Sequence, residues 1–176
     1  HDVGKLKNPG YFIENQGAHY NPHDALDPRE SANIIRRHVS DGLELARKYG
    51  LPSIVMKFIA THHGHSLVYY FWKKAVEMYG AENVSQQDFR YTFGKPGSKE
   101  ESILMICDSV EAASRSLKHI SEQSLRDLIT SVVERQRQDG QFDEAEISYR
   151  QINRLKEILT EKLLEIYHSR IEYQKD

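Results

Sequence analysis

The stretch "SKEESILMICDSVEAASRS", residues 98–116, sets the fold class of this chain. It opens on Ser98, followed three positions later by Glu101, the capping-box pattern that starts a helix. The predicted helix runs to about Leu117, and its apolar residues leave one anomaly. Asp108 sits among Leu104, Ile106, Cys107 and Val110. A bare carboxylate in such surroundings is costly or loses its charge, so it needs a partner or a metal. A structural aspartate satisfied by an arginine or a backbone amide is the plainer alternative.

Segments on either side read the same way. Residues 29–48 follow Asp27-Pro28, a helix start signal, and stop at Gly50 with Pro52 just beyond. Residues 53–63 place Ile54, Val55, Phe58, Ile59 and His62 at helical spacing before Gly64, an expected C-cap. Further helices are predicted over about 66–79, 122–138 and 149–169, the last opening on Ser148 with Gln151. Its apolar series Ile152, Leu155, Ile158, Leu159, Leu163 and Ile166 reads as core packing, with the last two helices as braces. No segment alternates with the two-residue period of a strand. Two stretches rich in Gly, Pro and Asn interrupt the helices: "GKLKNPGYFIENQGAHYNPHDALDP" (4–28) and "GAENVSQQDFRYTFGKPG" (80–97). Both are long for connecting loops, and long ordered loops often carry function. The expected fold is all-α, a compact irregular helical bundle with two long ordered loops.

A chain of 176 residues is most simply one domain, here 1–176. A net charge of −2 gives no electrostatic footprint for a nucleic-acid duplex or an anionic membrane. The single Cys107 excludes an intrachain disulfide framework. No apolar run approaches the roughly 20 residues needed to span a bilayer, so a soluble piece is expected. Because it starts at His1 without methionine or leader, it reads as an N-terminally truncated fragment of a larger protein.

Metal-liking side chains recur in a definite order: His1-Asp2, then 35 residues, His38, 23 residues, His62-His63, 44 residues, Asp108. Neighbouring helical residues such as His62 and His63 point about 100° apart, yet both can reach an extended site at a helix end. Taken alone, the pair would be one core and one surface histidine. Imidazole and carboxylate donors together suit iron, manganese or zinc better than calcium. Six candidates exceed what one tetrahedral ion uses, and a carboxylate can bridge two ions.

This ordered set, "HDVGK", His38, "HHG" and the helical "CDSVEAA", resembles the HD-domain superfamily of metal-dependent phosphohydrolases. More narrowly, "HDVGKLKNPGYFIENQ", "NPHD", "HHGHSLVYYF", "DFRY", "KPGSKEESILMICDSVEAASRS", "QDGQFDE" and "HSRIEY" resemble the cytosolic domain of seven-transmembrane HD phosphodiesterases of the PgpH type. The resemblance spans nearly the whole chain. It implies hydrolysis of cyclic di-AMP to the linear dinucleotide pApA at a pair of divalent metal ions, iron or manganese. The GYP signature of the related enzymes for cyclic di-GMP is absent after "HHGHSLVYYF". His1 and Asp108 would ligate one metal, Asp2 would bridge both, and His38, His62 and His63 would ligate the other. The family pattern adds a histidine upstream of His1, so the first metal is expected to be one ligand short here. The resemblance also implies a domain facing the cytoplasm of a bacterial inner membrane, reached through a preceding region, and allows a homodimer.

Other residues carry weaker signals. Lys5 follows the His-Asp pair as a phosphate-facing cation or, equally, a solvated lysine. Arg90, Tyr91, Phe93 and Lys95 mix aromatics and cations, as a loop stacking on a base and meeting phosphates would, or as an ordinary anchored loop. Arg115, two helical turns after Asp108, is a substrate contact or a solvated helix-end arginine. His65 matches no ligand position, and His19 and His23 are expected to be ordinary loop histidines. No Walker loop or nucleophile elbow is present, which fits catalysis without a protein nucleophile. Two rival readings keep the same residues: a hydrolase of another nucleotide (cyclic di-GMP, an alarmone or a deoxynucleotide), or a sensory module that binds without turnover.

Overall fold

The computed structural model describes residues 1–16 and 20–172, with side chains through Tyr167. His19 and the side chains of "HSRIEY" lie outside the described residues. The chain divides into two compact units, His1–Gly94 and Lys95–Asp176. The described residues form an all-α fold of six α-helices and short 3-10 turns, with one isolated bridge in place of any sheet.

The first unit holds α1 (Pro28–Lys48), α2 (Ser53–Thr61) and α3 (Tyr69–Tyr79). Asp27 caps α1 by accepting from the Arg29 N–H at 2.7 Å, and Pro28 takes the first helical position, where no N–H is needed. The helix stops because Gly50 adopts φ +64°, which lets Gly50 N–H reach Arg47 O and Leu51 N–H reach Ala46 O. That is a Schellman stop, as the Gly50–Pro52 signal suggested. Ala32, Phe71, Ala75, Val84 and Phe89 form the core of this unit, with Phe89 fully buried.

Two expectations change here. The long segment 4–28 is mostly structured as 3-10 turns at Val3–Lys7, Pro9–Tyr11, Ile13–Asn15 and Pro22–Ala25, and 80–97 carries two more. Its prolines and glycines interrupt α-helix but tolerate these tighter single turns. Residues 66–68 are not helical. Val68 N–H bonds Phe89 O and Tyr91 N–H bonds Ser66 O, an antiparallel bridge that satisfies this backbone outside α3 and delays the helix to Tyr69.

The second unit is α4 (Lys99–Ser114), α5 (Glu122–Gln138) and α6 (Tyr149–Glu172) around Ile106, Val110, Leu125, Ile129, Val133, Ile152 and Leu163. Ser98 Oγ accepts from Glu101 N–H at 3.3 Å, while the Glu101 carboxylate reaches Gly97 N–H rather than Ser98 N–H. Ser148 and Gln151 complete a reciprocal box at the start of α6. A box at α5 between Ser121 and Ser124 went unread because serine stands where Glu or Gln usually does. Ser98→Ala should lower unfolding free energy by about 1 kcal/mol in urea titration, a typical cap loss. On α6, Ile158 and Ile166 are 38% and 45% exposed, against the expectation that both are core. Ile158 lies about 100° around the helix from Leu159, off the buried stripe. Ile166 follows Leu163, the last buried apolar residue described on α6. No described helix is long and apolar enough to cross a membrane.

Candidate metal centre

His38 lies on the buried face of α1, between the buried Ala32 and Gly42. His62 is the C-cap of α2, whose last residue is Thr61, and it keeps helical backbone angles, so both histidines stand at this helix end. Their ring centroids are 4.0 Å apart. His38, His62 and His63 each turn a ligand atom into one cluster within 4.8 Å, and His1, Asp2 and His62 make a second. His62 belongs to both. The expected grouping of the three distal histidines is thus present, whereas His62 also reaches toward the His1-Asp2 pair.

Asp2 arrives there because of Gly4. The turn Val3–Lys7 lies so close on α1 that a Cβ on Gly4 would sit 1.8 Å from His38 O and 2.5 Å from Gly42 N. A Cβ on Gly42 would in turn stand 3.0 Å from Ile59 Cγ2. Two glycines therefore let the turn, α1 and α2 meet. Neither was singled out from the sequence, since nothing local marks a residue whose neighbour is 34 or 38 positions away.

The hydrogen bonds fix the histidine tautomers. His38 Nδ1 is 2.6 Å from Ile35 O and His62 Nδ1 is 2.8 Å from Ile59 O. A carbonyl oxygen only accepts, so both Nδ1 atoms carry a proton, and in the neutral rings that a metal requires both Nε2 atoms present lone pairs. Those Nε2 atoms are 3.0 Å apart, and Asp2 Oδ1 lies 3.6 and 3.7 Å from them. Asp2 Oδ1 is buried and accepts no hydrogen bond. Two lone pairs and a carboxylate oxygen facing one point repel each other unless a cation lies among them. The donor set and its orphaned oxygen fit a divalent metal.

Asp2 Oδ2 faces the other way, 2.8 Å from Lys5 Nζ and 3.4 Å from His1 Nε2. Burial by itself would raise the Asp2 pKa, but hydrogen bonds from His1 and Lys5 and their charges hold the carboxyl well below its ordinary range. Lys5 also pairs with Glu14 at 2.7 Å. Its own burial opposes the charge, and the two carboxylates outweigh that and raise its pKa. Lys5 is therefore no solvated lysine. Glu14 was missed, because the string of turns that brings it back carries no periodic signal. Burial, then the neighbouring His62 and His38, push His63 well below the usual imidazole value, which keeps it neutral and able to ligate.

Tyr91 is buried and stacks on His63 with centroids 4.4 Å apart and 25° between planes. The bridge between residues 66–68 and 89–91 puts it there, so it is a wall of the centre and an anchoring aromatic. Arg90 donates to His65 O at 2.8 Å and to Gln86 Oε1 at 3.3 Å, pinning the loop. His23 departs from expectation: it is 5% exposed, 3.0 Å from Tyr11 O and packed on Phe71. Chain reversals in 4–28 fold it inward. In the second unit, Lys95 pairs with Asp143 at 3.3 Å and Arg115 with Glu111 at 2.8 Å. Asp108 stands half-buried on α4. The ligand role given to Asp108 rests on its apolar sequence setting and the resemblance, and the substrate roles given to Lys95 and Arg115 rest on composition and spacing.

Comparison with known proteins adds four findings. Residues 1–113 match the HD domain family. The cyclic-di-AMP phosphodiesterase PgpH of Bacillus subtilis is 40% identical over 173 residues, 98% of this chain and 24% of that protein. PgpH of Listeria monocytogenes is 39% identical over 176 residues, 100% of this chain and 24% of that protein. The chain thus spans about a quarter of the length of these relatives. A crystal structure of the L. monocytogenes PgpH HD domain in complex with cyclic-di-AMP superposes with TM-score 0.90 at 38% identity, over 96% of this chain and 76% of that one.

Proposed function

This chain belongs to the HD domain family, and on that premise we propose that it hydrolyses cyclic di-AMP to linear pApA. Water adds across one phosphodiester bond, its oxygen joining phosphorus and a proton passing to the departing 3′ oxygen. The observation that carries the reading is the buried Asp2 Oδ1 facing the Nε2 atoms of His38 and His62. It belongs to a chain that matches a domain solved with this nucleotide over 96% of its length.

We assign His38, His62, His63, His1 and Asp2 to hold two divalent cations; the mixed imidazole and carboxylate donors suit iron, manganese or zinc, and the resemblance favours iron or manganese. The resemblance adds Asp108 to the ligands. Such cations, when bound, polarise the phosphoryl group and lower the pKa of water toward about 7. The protein's own part is to keep its imidazoles neutral and oriented. Ile35 O and Ile59 O orient two of them by accepting from the Nδ1 atoms of His38 and His62, and burial holds His63 neutral. Lys5, anchored between Asp2 and Glu14, holds Asp2 ionised and brings a positive charge beside the reacting phosphate. The wider setting we propose is a domain of a longer, membrane-anchored bacterial protein.

Lys5→Ala should cut turnover by about a hundredfold, the loss typical of one charge-stabilising donor. Metal content should stay at the wild-type level, read by elemental analysis of the same sample. The function itself is tested by metal analysis beside a turnover panel of cyclic di-AMP, cyclic di-GMP, a (p)ppGpp alarmone and deoxynucleotides. Preference for cyclic di-AMP with metal-dependent release of pApA is expected. Hydrolysis confined to another member of the panel, or binding without turnover, would replace this reading.

A further inference from the structure

The cations first considered for substrate contact are engaged elsewhere, on His65 O, Asp143 and Glu111. Two arginines so far without a role stand close to the donor cluster. Arg36 and Arg37 directly precede His38 on α1 and, with Asn33, Ser40, Tyr91 and Phe93, line a cavity of about 160 Å³. Among the described residues neither arginine forms an ion pair. Arg36 Nη1 donates to Arg90 O at 2.7 Å, which fixes the guanidinium against the loop. Its Nε is buried and has no hydrogen-bond partner. A buried donor left unpaired costs about 1–3 kcal/mol, which a ligand acceptor or ordered water would recover.

The cavity shares a wall with the centre: Tyr91, which stacks on His63, lines it as well. Phe93 is 39% exposed at its edge, leaving ring surface for a flat partner. The volume is below the roughly 300 Å³ of a complete small-ligand site, so it suits one portion of a larger molecule. Two guanidiniums select an anion with several oxygens, and an adjacent aromatic face selects a base.

We propose that this cavity is a nucleotide subsite, in which Arg37 and Arg36 hold a phosphate that is not being hydrolysed and Phe93 supports its base. The inference rests on reading the centre as a nucleotide phosphodiesterase. It gives the site two phosphate positions, as a dinucleotide needs, and names residues that would set substrate preference.

The test uses the metal-loaded protein, with Arg37→Ala, Arg37→Glu and Phe93→Ala, all at exposed positions that should fold normally. Calorimetric binding of 5′-AMP is the first readout. Arg37→Glu should raise its Kd at least tenfold and Phe93→Ala several-fold. The second readout is the ratio of kcat/KM for cyclic di-AMP to that for bis(p-nitrophenyl) phosphate, a small ester that cannot span both positions. Arg37→Ala should lower that ratio about tenfold. Unchanged AMP binding and an unchanged ratio in the Arg37 variants overturn the subsite while leaving the phosphodiesterase reading intact. Arg37-dependent AMP binding in a protein that never cleaves cyclic di-AMP supports the subsite and removes that reading.

Discussion

Replacing His62 by alanine is expected to strip metal from the protein and cut cyclic di-AMP hydrolysis by at least about a thousandfold. His62 alone among the ligands belongs to both donor groups, with His38 and His63 on one side and His1 and Asp2 on the other. Metal-supplied charge stabilisation amounts to several kcal/mol, and about 1.4 kcal/mol is a tenfold rate change, which sets the size of the effect. His38→Ala should be milder in metal content, since the His1, Asp2 and His62 group keeps all its members. The paired measurement is metal stoichiometry by elemental analysis and pApA release under saturating manganese. If His62→Ala keeps two metals and its rate, the centre is not organised around this residue.

Gly4→Ala is the second large effect, and it acts through packing rather than ligation. The added methyl would overlap His38 O at 1.8 Å and Gly42 N at 2.5 Å, and both are backbone atoms of a helix that cannot swing aside like a side chain. The turn Val3–Lys7 must lift off α1. Overpacking of a close contact costs about 1–3 kcal/mol and occasionally more, and the upper end applies where backbone meets backbone. Lifting the turn also withdraws Asp2 from His38 and His62, so metal affinity should fall together with stability. Guanidinium denaturation of the metal-free protein should show a loss of about 3 kcal/mol, and manganese titration a weakened site. Gly10→Ala provides the contrast, since nothing lies within 4 Å of the place its added methyl would take and its φ is not positive. It should stay within about 0.5 kcal/mol of wild type. Equal behaviour of the two variants would refute the close approach.

Several readings of the sequence rest on interactions that act over a few residues, and the structure repeats them. The start of α1 at Asp27-Pro28 and its stop at Gly50 are made by hydrogen bonds within five residues. The Ser148–Gln151 box works the same way. The apolar stripe of α6 is legible for Ile152, Leu155, Leu159 and Leu163, and misleading for Ile158, which was counted for its apolar character although its position sets it about 100° from Leu159. His23 illustrates the opposite failure. A histidine in a loop rich in Pro and Asn is ordinarily on the surface, yet four successive turns bring it against Phe71.

The candidate site divides along the same line. Residue types, their order and the resemblance marked His1, Asp2, His38, His62 and His63 as candidate ligands, because metal chemistry restricts the donors to a few side chains, and the structure brings their donor atoms into two groups that share His62. Lys5 was read as a phosphate-facing cation or a solvated lysine, and its pairing with Asp2 and Glu14 was not foreseen. Tyr91 was noticed for its ring, while its place against His63 follows from the pairing of 66–68 with 89–91.

The sequence by itself determined an all-helical fold, the caps that bound most of its helices and the identity of the metal-liking side chains, since those depend on local hydrogen bonds and donor chemistry. Only the tertiary structure decided that Gly4 and Gly42 let Asp2 descend onto α1, that His62 serves both donor groups, and that Lys5 is held between two carboxylates. Each of those is a contact across the fold, where the energy comes from packing of distant segments and leaves no trace in any short window of residues.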